Sequence, residues 1–155
     1  MDYNEYISKI KLSNSYQAQL FGLDAIISYE EVFKWKWFAT KLKIFSIVMN
    51  SSEINKEHIE RYSGECLQYS IKNIKGLPKG WQNGVVSINV LVSEIVEPEA
   101  ISFATSRPAM HFSAIEMPVI FDLSTSSLYY FTGDMVWGSV YSDFIKGYIK
   151  DRFEV

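Results

Sequence analysis

Gly76-Leu77-Pro78-Lys79-Gly80-Trp81-Gln82-Asn83-Gly84-Val85-Val86-Ser87-Ile88-Asn89-Val90-Leu91-Val92 is the stretch that decides the fold class. Its first half holds glycine, proline and lysine, which stop a helix and turn the chain; its second half is a β-branched and aliphatic run that Ser93-Glu94 closes. Upstream, Ile59, Tyr62, Cys66, Tyr69 and Ile74 recur at helical intervals, which predicts a helix over 55–75 with Asn55 accepting from its first amides. Before that helix, Leu42-Lys43-Ile44-Phe45-Ser46-Ile47-Val48-Met49 reads as a strand ended by Asn50-Ser51-Ser52. Strand, helix and the strand at 84–93 make a βαβ unit, whose crossover is expected to be right-handed and whose strands are expected to run parallel.

Outward from this unit the pattern continues. Pro98-Glu99-Ala100 opens a short helix over 98–105, with proline where its missing donor costs least, and Arg107-Pro108 closes it. Pro118-Val119-Ile120-Phe121-Asp122 and Leu128-Tyr129-Tyr130-Phe131 predict a hairpin over 117–132 about Ser124-Thr125-Ser126-Ser127. Val140, Tyr141, Phe144, Ile145, Tyr148, Ile149 and Phe153 form the apolar stripe of a C-terminal helix over 139–153. Toward the other terminus, Leu20, Phe21, Leu23, Ile26 and Ile27 fall at helical spacing, so 1–30 reads as an N-terminal helical segment in which Gly22 is a flaw. From Phe33 the pattern alternates, Phe33, Trp35 and Trp37 against Lys34 and Lys36, which predicts a strand region over 33–49. No linker, repeat or low-complexity tract divides the chain. The expectation is one α/β domain over 1–155: a mixed, mostly parallel β-sheet with an antiparallel hairpin at one end, flanked by helices.

Composition narrows the function classes. The chain has 155 residues, 21% of them charged and 48% hydrophobic, enough for a packed core without disulfides or metals as staples. Aromatic residues reach 15%, with 10 Tyr, 10 Phe and 4 Trp, more large rings than such a core needs, so some are expected at an interface. A net charge of -3 and a pI near 5.4 supply no field for nucleic acid. A single cysteine, Cys66, excludes an internal disulfide and fits a reducing compartment; the N-terminal Met1-Asp2-Tyr3-Asn4-Glu5 has no basic start, and the longest apolar runs are too short for a membrane span. A cytoplasmic location is expected.

Chemistry has few places to sit. Ligands of open α/β sheets bind beyond the carboxyl ends of parallel strands, here Asn50 and Ser51, Ser93 and Glu94, and Asp122. Asp122 with Glu94 could hold a cation or share acid and base roles; the plainer alternative is an Asx turn at Asp122 and a solvated Glu94. Arg107 and His111, in a connection with Met110 and Phe112, could clamp a phosphate or carboxylate, His111 also moving a proton. The alternative is a structural loop anchored by its apolar members. The glycines around Lys79 follow a helix and open a strand, the reverse of a phosphate loop, and are read as a turn with Trp81 exposed. His58 lacks a second histidine at metal-binding spacing and Cys66 lies on the apolar stripe, so both read as structural. Glu116, Asp122 and Glu94 supply acids for a nuclease, but no Glu-x-Lys accompanies them on a strand.

The expected function is therefore a non-enzymatic protein-binding or accessory domain, toxin-neutralising or self-associating, using Trp35, Trp37, Trp81 and Trp137 against a protein partner or a second copy, with no cofactor, no metal, no membrane and no nucleic acid. The alternative is a small hydrolase or metal-dependent nuclease acting on a phosphate-bearing substrate, with Asp122, Glu94, His111 and Arg107 as catalytic residues. It requires those four to converge in one pocket.

Overall fold

The computed structural model describes residues 1–34, 37, 41–76, 83–135 and 139–155. In chain order the elements are α1 (Tyr3–Lys9), β1 (Ser15–Leu20), β2 (Leu23–Phe33), β3 (Lys41–Asn50), α2 (Lys56–Asn73), β4 (Asn83–Ser93), α3 (Pro98–Thr105), β5 (Met110–His111), β6 (Ala114–Asp122), β7 (Ser127–Tyr129) and α4 (Ser139–Phe153). The fold is α/β, a mixed sheet flanked by helices. β3, α2 and β4 form the expected unit, the strands parallel in the register Ile44↔Val86 and Val48↔Val90. Asn55 caps α2, its Oδ1 accepting from the His58 N–H at 2.9 Å. α3 then carries the chain to β6, parallel to β4. The two connections before α2 and α3 are stitched together, Ile54 N–H to Ile95 O at 2.8 Å and Glu97 N–H to Ile54 O at 2.9 Å.

The N-terminal third departs from expectation. Residues 15–29 are two antiparallel strands, β1 and the first part of β2, joined by the two-residue turn Phe21-Gly22, and only α1 is helical in 1–30. Tyr16, Ala18 and Leu20, then Leu23, Ala25 and Ile27, alternate on either side of Gly22; pairing across the turn satisfies those backbone groups in a way a helix through Gly22 could not better. As for the lysine–tryptophan alternation, β2 ends at Phe33 and β3 begins at Lys41, the Trp37 N–H donates to Lys34 O at 3.1 Å, and Trp35 and Lys36 lie outside the described residues.

Because β1 and β2 add on the far side of β3, the parallel strands β3, β4 and β6 occupy the middle of a seven-stranded sheet with antiparallel strands on both sides, in the order β1-β2-β3-β4-β6-β5 with β7 also on β6. Two pairings are parallel, β3 with β4 and β4 with β6, and the others are antiparallel. β5 pairs with the start of β6 and β7 with its end, both on the edge away from β4. The Leu123 N–H reaches across to Ser93 O at 2.8 Å, so by alternation the odd residues of β6 address β4 and the even ones the outer edge. Pro118 falls on that outer edge, between β5 and β7, where its missing N–H breaks no ladder.

The sheet separates two cores. Against α1 and α4 lie Leu42, Ile44, Val48, Val86, Ile88, Val90, Val92, Met117, Val119 and Phe121, all buried, with Tyr6 stacked on Phe121 at 3.9 Å between centroids. Against α2 and α3 lie Ala25, Ile27, Phe45, Ile47, Met49, Leu91 and Ile120 with Ile59, Tyr62, Cys66, Ala100 and Ala104. Each fully buried aliphatic side chain stabilises the fold by about 1.5–3 kcal/mol, so the near-continuous burial of β3, β4 and β6 is the main source of stability. Glu30 on β2 ties α4 down: it accepts from the Tyr148 hydroxyl, and Arg152 Nη2 lies 3.1 Å from its Oε2.

Candidate interaction site

The β1–β2 hairpin closes on the pair Leu20↔Leu23, and both turn residues are left-handed, Phe21 at φ 56° and Gly22 at φ 76°. This is the geometry of a type I′ turn, which suits the twist of paired strands and favours asparagine or glycine at both places. Gly22 meets that demand. Phe21 does not, because a Cβ in the left-handed region crowds its own carbonyl at a cost of roughly 1–2 kcal/mol. The ring gains little shelter in return: Phe21 is 48% and Leu23 is 52% exposed.

Both side chains line a cleft of about 440 Å³ beyond the carboxyl end of β3, between the hairpin and α2. Met49, Tyr62 and Leu91 contribute apolar surface, Asn50, Ser51 and His58 polar atoms, and Arg61 and Glu65 opposite charges one turn apart on α2. The Tyr62 hydroxyl lies 2.8 Å from Ile47 O and 3.2 Å from Val90 O, which fixes the ring against both strands; burial raises its pKa and keeps it a donor. His58 Nδ1 is 3.3 Å from Glu53 O, and the Ser51 hydroxyl donates to the same carbonyl at 2.6 Å.

The sequence-derived site residues fall elsewhere. Asp122 is buried at the end of β6, where its Oδ1 accepts from Ser124 N–H at 2.8 Å, Ser124 Oγ at 2.6 Å and Thr125 N–H at 3.3 Å. Burial alone would raise its pKa, but these donors together hold the carboxyl below its ordinary value. It is an Asx turn, the plainer of the two readings. Glu94 is exposed one residue beyond Ser93, the register partner of Asp122. His111 pairs with Ala114, the first residue of β6, whereas Asp122 is the last, so the nine-residue strand separates them by roughly 26 Å at its usual rise. Instead His111 Nε2 sits 2.8 Å from Glu116 Oε2. Arg107 is exposed after α3. The structure thus brings Glu94 and Asp122 to one rim and leaves His111 at the other end of the sheet. Among the described residues no group of three or more His, Cys, Asp or Glu is placed to hold a metal.

Trp37, read from the sequence as a surface binding residue, is 0% exposed. Its ring meets Tyr141 and Phe144 edge-on at 5.4 and 4.9 Å, with the Lys34 ammonium 5.3 Å from its centroid. The α1–α4 core offers the indole more aromatic contact than water does. Trp35, Trp81 and Trp137 lie outside the described residues, as does most of the Gly76–Gly84 turn. Cys66 is buried and its thiol is pushed well above its ordinary pKa by burial, which leaves it inert. Phe21 and Leu23 were not legible as site residues, because a helical 15–29 has no turn tip, and the alternation about Gly22 was the available signal; Arg61, on the expected helix, borders a cleft that exists only once the hairpin has formed.

No family model matches the chain, and no match is found among curated proteins or solved structures. The class defined by fold and site is an α/β domain with a mixed sheet and, at one rim, a cleft of mixed apolar and polar lining.

Proposed function

We propose that the chain is a protein-binding domain, without catalysis of its own, that engages a partner through the tip of the β1–β2 hairpin and the cleft beside it. The observation that carries this reading is Phe21, a large ring kept half in water at a backbone position that disfavours it. Strain without a packing reward is retained where the side chain has another use, and aromatic residues beside a pocket are the usual anchors of protein interfaces. Leu23 enlarges the apolar patch, and the cleft has room for one partner side chain, with Arg61 and Glu65 at its border to orient polar neighbours. The hydrolase alternative needs Asp122 and Glu94 gathered with Arg107 or His111; the length of β6 lies between Asp122 and His111, and Arg107 is exposed after α3.

The test is capture of partners by the tagged chain at low salt, comparing wild type with Phe21→Asn and Leu23→Ser. A stoichiometric partner retained by wild type and lost from both variants, with their circular dichroism unchanged, is the expected result. Equal recovery by wild type and variants would overturn the reading.

A further inference from the structure

The two flanks of the sheet are treated differently. On β6 the outer edge is paired at both ends by β5 and β7, and Pro118 occupies the gap. On β1 no strand pairs with the outer edge among the described residues, and Ser15, Gln17 and Gln19 are exposed. The two-residue turn makes Leu20 face Leu23, so Leu20, Ala18 and Tyr16 direct their backbone groups to β2, while Ser15, Gln17 and Gln19 present theirs outward. Ser15-Tyr16-Gln17-Ala18-Gln19-Leu20 contains neither proline nor charge, the devices that usually protect an edge.

The geometry points to a second copy of this chain as the occupant of that edge, paired antiparallel β1 to β1 about a two-fold axis through Gln17. Neutrality is the first reason: in a chain of net charge -3, this strand brings no like charges together when it meets itself. Fit is the second. An axis normal to the sheet keeps the α2 faces on one side, and placing it at Gln17 sets Gln17 opposite Gln17 and Ser15 opposite Gln19, so that every outward N–H and C=O of the strand finds a partner. Tyr16 then lies opposite Ala18, a large ring over a small residue in the pairing where side chains come closest. Tyr16 is 44% exposed, its hydroxyl 3.1 Å from that of Tyr69 on α2, so the ring is held in position and has surface left to bury. A six-residue strand pair buries less than the ~1,200 Å² of a standard interface, so the association is expected to be weak and concentration-dependent. This dimer is independent of what enters the cleft.

Sedimentation equilibrium from low micromolar to millimolar chain concentration reads the proposal directly. Wild type is expected to pass from monomer to dimer, and Gln17→Pro, which deletes an outward N–H and none that faces β2, to remain monomeric. Should Gln17→Pro fold poorly, Gln17→Cys treated with a short bis-maleimide gives a second reading: the two thiols face each other across the axis, about 5.5 Å apart at their Cα atoms, and are joined, whereas Gln19→Cys, opposite Ser15 and about 14 Å from its own copy, is not. A wild type that stays monomeric, a dimer untouched by Gln17→Pro, or a Gln17→Cys protein that fails to crosslink where dimer is populated would each overturn it. Phe21→Asn is expected to leave the dimer intact, so a failure of the cleft and a failure of the edge read differently.

Discussion

At Phe21 the backbone adopts a conformation that asparagine and glycine hold more easily. Phe21→Asn is therefore expected to stabilise the chain by about 0.5–1 kcal/mol, measured as a raised midpoint in thermal unfolding, while it weakens partner capture. A lowered midpoint would mean that the ring supports the fold after all. Asp122 is the opposite case, a residue whose chemistry is absorbed by structure. Its carboxyl titrates below the ordinary value when folded, so its contribution is present above the unfolded pKa and fades as pH falls through the folded one. Asp122→Ala is expected to cost about 1–2 kcal/mol at neutral pH. The gap between wild type and variant should narrow below about pH 4 in denaturant titrations; a gap independent of pH would assign the turn's stability to something other than the ionised carboxylate.

Among the elements, β4 shows how far patterning alone can be read. Val86, Ile88, Val90 and Val92 are buried on the α4 side as their types demand. On the other side Ser87 and Asn89 look like solvent positions in the sequence, yet both are buried. Asn89 Nδ2 donates to Ser63 O at 3.1 Å and Ser63 Oγ at 3.0 Å, its Oδ1 accepts from Ser87 Oγ at 2.6 Å, and Ser87 and Ser70 hydroxyls meet at 2.8 Å. Satisfying these groups fixes α2 on the sheet in one register. Asn89→Ala leaves the Ser63 hydroxyl and carbonyl without that donor and is expected to cost about 2–3 kcal/mol, seen as a lower urea midpoint at unchanged slope. An unchanged midpoint would show the network to be dispensable. The periodic elements α2, α3, β4 and α4 were legible because each has one dominant period and clear end signals. The β1–β2 hairpin was not, since Leu20, Phe21, Leu23, Ile26 and Ile27 satisfy a helical spacing as well as an alternating one, and only pairing with β3 decides between them. The two-residue β5 is too short to carry any period. The rim's polar residues could be named from strand ends, but their hydrogen bonds to neighbouring backbone could not, so turn-forming groups looked like chemistry.

For the whole molecule, the strands that bear one core also bear the other, because alternate residues of β3, β4 and β6 face α4 and α2. Losing either layer exposes the same strands, so unfolding is expected to be a single transition, with tryptophan fluorescence and far-ultraviolet circular dichroism changing together. Separate midpoints would sink that expectation. No helix among the described residues is long and apolar enough to cross a membrane. Pro118 has a meaning at this scale too. Stacking of sheets into filaments needs a docking rim on each flank, so that every unit added leaves a fresh place for the next. With the outer edge of β6 taken up by β5, β7 and a ring nitrogen, the proposed join uses the one long open edge among the described residues of each copy and leaves only strands of two and three residues outermost.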